Sequence, residues 1–259
     1  MAQMLCRIFM IGVLCFIPLR SSGEVLQIGF YPIYPHVFEN ECTNMVDGAV
    51  VSFLNQHIAP FMNAEFDFKL LPLSRGLLEL EKMRLDGFAA LAKTEERSDI
   101  FRYPYNSFHQ ENAVLVVRKE HPLQSFNELS DIENYTVAYA QKAQVSNYMQ
   151  QAKIQWVKIS GLSLTERILQ LVAIGRVDAG YTLIEQNSKR KASALGISSK
   201  LRFLQIPEEK RELYTVFANN NQAAQLQYDE AFEYIDGKTI YSNLLLGYSS
   251  AEKCQNEKH

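Results

Sequence analysis

Short runs of apolar residues alternate with segments of helical spacing along most of this chain. Apolar-rich runs at 25–30 and 65–71 flank a segment at 48–61 whose apolar residues recur at the three- and four-residue spacing of an amphipathic helix. The alternation starts again after residue 112, where AVLVV is uninterrupted apolar sequence, as expected of a strand buried on both faces. Strands that alternate with helices in this way predict an α/β protein with parallel sheets flanked by helices.

The stretch from Leu77 to Tyr105 carries the strongest functional signal. Its pattern predicts an amphipathic helix, a tight turn, the small-residue strand FAALA, and then Thr94-x-x-Arg97 at the start of a second helix. An arginine in the first turn of a helix can bind an anion with its planar fork, beside free backbone N–H groups. This order resembles that of the family 3 periplasmic solute-binding proteins, the extracellular amino-acid-binding type. The sequence GRVDA at 175–179 is similar to a second motif of that family.

The resemblance implies a two-lobed fold of the periplasmic-binding-protein type. Each lobe would be a mainly parallel sheet flanked by helices, with two hinge crossovers between them. Lobe 1 would comprise 24–112 and 215–259, and lobe 2 would comprise 113–214 with the hinge strands. Because open α/β sheets bind ligands beyond the carboxyl ends of their strands, the site is expected in the interlobe cleft, closed by hinge motion.

The resemblance also implies roles for individual residues. Arg97 occupies the position that binds the ligand's carboxylate in the family. Tyr31 or Tyr34, just after the first strand, would form an aromatic wall. Ala92 stands where the family often has a hydroxyl residue, so only its backbone groups can serve. Lys142 or Gln144 would contribute from the second lobe, where a strand leads into a helix and the family offers polar groups to the ligand.

One position departs from the family. Amino-acid binders place an aspartate five residues after the aspartate of the GRxDA motif to hold the α-ammonium group, and this chain has Leu183 there. Burying an ammonium group beside a leucine without a counter-charge is costly. Either the ligand lacks an α-amino group, or another acid substitutes, for which Glu185 is the nearby candidate.

Three further residues are expected to have structural roles. Thr94 is expected to cap its helix with its hydroxyl group. Arg75 is expected to pair with Glu79 one turn further on, although it could also point into the cleft. Asp178 is structural by the same resemblance.

Composition excludes several classes. The chain has 259 residues, 47% of them hydrophobic and 21% charged, which suits one large or two small globular domains. A net charge of −3 argues against nucleic-acid binding. No metal or other cofactor is expected, because the histidines, at 36, 57, 109, 121 and 259, show no paired ligand spacing.

The N-terminus predicts export. Residues 1–23 combine Arg7, an apolar run and the small residues before position 24, which are the parts of a secretory signal peptide. The alternative, a membrane anchor, needs roughly 20 apolar residues, and this run is shorter. Export would permit a disulfide between Cys42 and Cys254, the cysteines left after cleavage, with two free thiols as the alternative.

These features favour a periplasmic solute-binding protein, not an enzyme, that captures a small carboxylate-bearing ligand, an amino acid or a related polar compound, for ABC-type uptake or sensing. We expect a monomer whose partners are the small molecule and an inner-membrane permease or sensor. The alternative is a secreted enzyme on the same fold, similar to cyclohexadienyl dehydratases. That enzyme would need an acid in the cleft to protonate a leaving hydroxyl group, and Glu185 could fill the role.

Overall fold

The computed structural model of the chain describes residues 23–207 and 210–250. The strands are β1 (Glu24–Phe30), β2 (Phe38–Glu39), β3 (Val46–Asp47), β4 (Ala64–Leu70), β5 (Gly87–Ala92), β6 (Phe101–Arg102), β7 (His109–Glu111), β8 (Val114–Arg118), β9 (Thr136–Ala140), β10 (Gln155–Ile159), β11 (Ala179–Thr182), β12 (Leu201–Gln205) and β13 (Arg211–Ala218). The α-helices are α1 (Ala49–Phe53), α2 (Ala59–Met62), α3 (Leu73–Glu81), α4 (Glu95–Ile100), α5 (Asn147–Gln150), α6 (Leu164–Ala173), α7 (Glu185–Ala194), α8 (Gln222–Tyr234) and α9 (Gly237–Ser250). A π-helical turn at Leu54–Ile58 joins α1 to α2, and 3-10 turns lie at Leu129–Ile132 and Ser198–Lys200.

Two main sheets with flanking helices confirm the predicted fold class. The first sheet has the order β4-β1-β5-β13-β6, with β7 also paired to β13, and the second has the order β10-β9-β11-β8-β12. In each sheet the strands that alternate with helices are parallel: β1 to β4 and β5, and β9 to β10 and β11. Strands β13 and β8, which follow the passage from one sheet to the other, run antiparallel to their neighbours.

The chain passes between the sheets twice, once between β7 and β8 and once between β12 and β13. We call residues 23–111 with 211–250 lobe 1, and residues 114–205 lobe 2. The predicted boundary at residue 112 falls at the first passage. The second segment of lobe 1 begins at Arg211, before the predicted residue 215, because β13 pairs with lobe 1 strands from its first residue.

Strand β8 shows why its sequence is apolar without a break. Val114 and Val116 pack into a core shared by both lobes, whereas Leu115 and Val117 point into a second core confined to lobe 2. All four side chains are fully buried. Since successive side chains of a strand face opposite sides, a sheet covered on both faces needs apolar residues at every position.

Helix α3 fixes the position of β5, the strand that leads to the cleft. Leu73, Gly76 and Leu80 form its buried face, at helical spacing. A Cβ atom at Gly76 would lie 2.2 Å from the ring of Phe88 on β5, so a larger residue there would push the helix and the strand apart. The close approach packs the amino end of β5 against α3.

Several sequence predictions fall outside the described part. Of the predicted signal peptide at 1–23, only Gly23 is described, and Cys254 lies beyond residue 250. The signal peptide and the pairing of Cys42 with Cys254 therefore stay predictions. Between residues 23 and 250, leaving out 208 and 209, no helix is long and apolar enough to cross a membrane.

Candidate ligand-binding cleft

A cavity of about 20 Å³ lies between the lobes, at the carboxyl ends of strands from both sheets. Tyr31 follows β1, Ala92 ends β5, Leu183 follows β11, and all three line the cavity. This is the edge at which open α/β sheets bind ligands. The volume suffices for about one water molecule, so a ligand of amino-acid size requires the lobes to separate.

The cavity continues into wider spaces on two sides. One is a recess of about 400 Å³ that shares Tyr31 and Leu183 with the cavity. The other is a groove of about 1260 Å³ that shares Ala143 and Gln144. The three spaces share lining residues and lie next to one another along the lobe boundary.

Arg97 is held in the centre of this cleft by the local sequence around it. The Thr94 hydroxyl group accepts the Arg97 backbone N–H at 3.2 Å, which confirms the predicted cap of α4. The Arg97 guanidinium donates to the carbonyl oxygens of Ala92 at 2.7 Å and of Lys142 at 2.5 Å. Only 7% of Arg97 is exposed, and this burial lowers its pKa. Because Lys142 belongs to lobe 2, Arg97 bonds the two lobes directly.

Arg211 is a second buried arginine at the cavity, and sequence reasoning missed it. It is 3% exposed and lies at the start of β13. Its guanidinium donates to the Gln144 Oε1 atom at 2.9 Å, to the Tyr181 hydroxyl group at 2.6 Å and to the Leu183 carbonyl oxygen at 3.2 Å. The only signal in the sequence was an arginine directly before an apolar strand, which is common at strand starts on the surface.

Tyr31 lies where the aromatic wall was predicted. Its ring stacks on Phe88 at a centroid distance of 6.4 Å, and it lines the cavity with Arg97 and Arg211. Burial raises its pKa to about 12, although the positive charges of Arg211 and Arg97 act in the opposite direction. The hydroxyl group is therefore a neutral donor at physiological pH.

Tyr34, the other predicted wall, lies at the contact between the lobes and not on the central cavity. Its backbone N–H donates to the Asn187 Oδ1 atom at 3.2 Å, and the Arg190 guanidinium carbon sits 4.0 Å from its ring centroid. Both partners belong to α7 of lobe 2, so Tyr34 helps to hold the lobes together.

Ala92 and Gln144, two of the predicted site residues, both line the cavity. The polar group that each contributes already accepts a hydrogen bond. The Ala92 carbonyl oxygen accepts from Arg97 and also from the Tyr103 hydroxyl group, at 3.0 Å. The Gln144 amide oxygen accepts from Arg211. Both groups accept from an arginine, Ala92 within lobe 1 and Gln144 across the lobe boundary.

Glu185 does not reach the cavity. It begins α7, where its side chain accepts from the Gln205 amide at 2.7 Å and pairs with Lys189 at 2.7 Å. Leu183, by contrast, does line the cavity. Among the described residues that surround this space there is no aspartate or glutamate, and both charged side chains there are arginines.

Two residues with a left-handed backbone conformation, Ala90 and Lys142, lie at or next to the cavity lining. Ala90 has φ +55° inside β5, where two residues, Ala89 and Ala90, oppose Thr215 alone and form a bulge. Lys142, whose carbonyl oxygen accepts from Arg97, has φ +66°. Left-handed conformations cost about 1 kcal/mol or more at residues with a Cβ atom, and such residues cluster at functional sites.

The remaining predicted contacts have structural roles. Arg75 pairs with Glu79 at 2.7 Å on the surface of lobe 1, as predicted. Asp178 accepts from the backbone N–H of Thr136 at 2.8 Å and from its hydroxyl group at 2.7 Å, which ties β11 to β9. Neither residue lines the cavity.

A second group of polar side chains lies in lobe 1, at the first passage between the sheets. We call His36, His109 and Glu111 the hinge cluster. The Nε2 atoms of both histidines lie 3.0 Å from the same Glu111 oxygen, Oε1. Sequence spacing could not reveal this group, since His36 is far from the other two, and only the alternation of His109 and Glu111 on one strand face hints at it.

The fold is similar to those of solved substrate-binding proteins. It is similar to an amino-acid ABC transporter substrate-binding protein, AbpA, from Streptococcus pneumoniae bound to L-arginine, with TM-score 0.73, 14% identity, and coverage of 89% of this chain and 97% of that one. It is similar to the arginine-, lysine-, histidine-binding protein ArtJ from Geobacillus stearothermophilus, with TM-score 0.71, 13% identity, and coverage of 90% and 97%.

The fold is also similar to a histidine kinase sensor domain that resembles periplasmic binding proteins, with TM-score 0.74, 14% identity, and coverage of 91% and 100%. No protein-family model matches the chain, and no curated protein matches it. At these identities the likeness shows the fold, and the expectation of a periplasmic-binding-protein fold is confirmed.

Proposed function

We propose that this chain is a solute-binding protein whose lobes close over a small carboxylate-bearing ligand. The observation that carries the proposal is the pair of buried guanidinium groups, Arg97 and Arg211, on one interlobe cavity. Guanidinium groups bind carboxylates through paired charge-assisted hydrogen bonds. A ligand carboxylate would compete for these arginines with the oxygen atoms of the described residues to which they donate.

The charges around the cavity favour an anionic solute over a zwitterionic amino acid. Two arginines face the cavity, and the described lining offers no acid to hold an ammonium group. A buried ammonium group beside Leu183 and Arg211 would lose its hydration without a counter-charge. We therefore expect organic acids, dicarboxylates above all, to bind better than α-amino acids of the same size.

Export and partners complete the proposal. The predicted signal peptide at 1–23 would deliver the chain to the periplasm. A permease or a sensor would recognise the closed form there. Similarity to a transporter-type protein and to a kinase sensor domain supports both partners equally.

The dehydratase-like alternative finds less support in the geometry. It needs an acid at the central cavity, and Glu185, the residue predicted for that role, pairs with Lys189 and Gln205 outside the cavity. Mass spectrometry of a bound ligand distinguishes the two functions, because a binding protein returns it unchanged.

The test is a thermal-shift screen of organic acids and amino acids, followed by calorimetry on the best ligand. A ligand that binds the folded protein raises the midpoint by mass action. Arg97→Ala should weaken the confirmed ligand about 100-fold, since charge-assisted hydrogen bonds contribute about 1.5–3 kcal/mol each. Arg75→Ala is the matched control, because Arg75 lies in the same lobe but pairs with Glu79 on the surface. Equal affinity of Arg97→Ala and wild-type protein would disprove the carboxylate clamp.

A further inference from the structure

The hinge cluster brings together three side chains that commonly bind transition metals. His36 Nε2 and His109 Nε2 each lie 3.0 Å from Glu111 Oε1, and the three potential ligand atoms all lie within 4.8 Å of one another. Around a tetrahedral ion with bonds of about 2.1 Å, ligand atoms are separated by about 3.4 Å. Small side-chain shifts would therefore suffice to seat an ion between them.

Strand pairing and backbone hydrogen bonds hold the chain in place at each of these three residues. His109 and Glu111 lie on β7, where they pair in register with Leu213 and Arg211 of β13. His36 donates its backbone N–H to Ile33 at 2.8 Å, and its carbonyl oxygen accepts from Val50 at 2.8 Å. A site on paired and hydrogen-bonded backbone keeps its geometry before an ion arrives.

A second layer of contacts orients His36. Its Nδ1 atom lies 2.5 Å from the hydroxyl group of Tyr241, and the two rings are parallel within 3°. Both residues are fully buried. With its proton on Nδ1 and donated to Tyr241, His36 presents the lone pair of Nε2 to the position beside Glu111. Metal-binding histidines are usually oriented by such a partner on the second nitrogen.

The cluster is open on one side. The side chains of His109 and Glu111 are 24% and 19% exposed, whereas His36 is buried. An ion could thus enter from the exposed side and keep a water molecule as its fourth ligand, as ions with three protein ligands do.

We propose that His36, His109 and Glu111 form a binding site for a divalent first-row transition-metal ion. Two imidazole nitrogens and one carboxylate oxygen are a donor set that suits Zn²⁺, Co²⁺ or Fe²⁺ and disfavours Mg²⁺ and Ca²⁺, which prefer oxygen ligands alone. Because Glu111 pairs with Arg211 across β7 and β13, the ion would sit next to the strand that supplies an arginine to the cleft.

The test uses Zn²⁺ and Co²⁺ alone, added to the purified full chain without a polyhistidine tag. Calorimetry should show one Zn²⁺ per chain with a Kd of about 1 μM or below. Co²⁺ should give the intense visible bands of a four-coordinate ion. His109→Ala and Glu111→Gln should each weaken Zn²⁺ about 100-fold, and Tyr241→Phe about tenfold, since orienting partners contribute 10–100-fold in metal affinity.

His57→Ala and His121→Ala are the matched controls, because both histidines lie outside the cluster, and they should bind Zn²⁺ like the wild type. Circular dichroism of each variant without metal shows whether it folds, and the wild-type Co²⁺ spectrum tests the site if a variant does not. Absence of stoichiometric binding in the wild type would show that the cluster is only a hydrogen-bonded network and overturn the proposal. Unchanged affinity in Glu111→Gln and His109→Ala would overturn it as well.

Discussion

The two faces of the cleft differ in what they offer. Lobe 1 contributes the positive charges of Arg97 and Arg211 and the ring of Tyr31. Lobe 2 contributes neutral acceptors, among them the Lys142 carbonyl oxygen and the Gln144 amide oxygen. Each arginine of lobe 1 donates to an acceptor of lobe 2. The difference suggests that lobe 1 selects the charge of the ligand, while lobe 2 supplies the contacts that close the cleft.

This division has an energetic consequence. Hydrogen bonds from an arginine to a carboxylate are roughly twice as strong as bonds between neutral groups. A ligand carboxylate between the lobes would gain those bonds but would have to displace the contacts of Arg97 with Lys142 and of Arg211 with Gln144. Ligand affinity therefore reflects the difference between two sets of contacts. The following substitutions separate the contributions of the two faces.

Arg211→Met removes a charge from the lobe 1 face and should have the largest effect of the three. We expect the affinity for the confirmed ligand to fall about 30- to 100-fold, as for the loss of a charged hydrogen-bond donor. Calorimetry measures it, with Arg202→Met as the matched control, because Arg202 donates to backbone carbonyl oxygens at a distance from the cavity. If Arg211→Met binds as tightly as Arg202→Met, only Arg97 holds the anion.

Leu183→Asp adds a negative charge to the lobe 2 face beside Arg211 and should have the next largest effect. A carboxylate there would repel an anionic ligand and pair with Arg211, so we expect about tenfold weaker binding of organic acids. Binding of α-amino acids should improve relative to organic acids, which competition experiments would show. Ile174→Asp, at a site on lobe 2 that is 70% exposed, controls for the added charge. An unchanged preference between the two ligand classes would contradict the assignment of Leu183 to the pocket.

Gln144→Ala removes a neutral acceptor from lobe 2 and should have the smallest effect. Its amide oxygen accepts a charge-assisted hydrogen bond from Arg211. A ligand carboxylate would displace this bond, so we expect a change in affinity of about fivefold or less. Gln170→Ala is the control, since Gln170 is an exposed residue of α6 in the same lobe and lines none of the three spaces. A loss as large as that of Arg211→Met would mean that Gln144 contacts the ligand directly.

Sequence reasoning succeeded where a signal is local. Thr94 and Arg97 are three residues apart, so one helical turn fixes their geometry, and the cap and the buried arginine lie where the pattern predicted them. Arg75 with Glu79 is local in the same way. Tyr31 could be placed because it directly follows a predicted strand.

Sequence reasoning fell short where the position depends on distant chain segments. Arg211 reaches the cavity because β13 pairs beside β5, and no spacing near residue 211 indicates that pairing. Tyr34 is the second candidate for the aromatic wall, after Tyr31, yet it contacts α7 of the other lobe. Glu185 is only two residues from Leu183, which lines the cavity. Its position at the start of α7 nevertheless places its side chain against Gln205 and Lys189.

Local sequence patterns account for the α/β alternation, the buried character of β8 and the anchoring of Arg97 by Thr94, because periodicity and capping act over a few residues. Tertiary structure alone decided that a second arginine joins the cleft, that the lobes meet around it through neutral acceptors, and that His36 meets His109 and Glu111. These are contacts between residues far apart in the chain, and they arise from strand order and lobe packing, which no local pattern encodes.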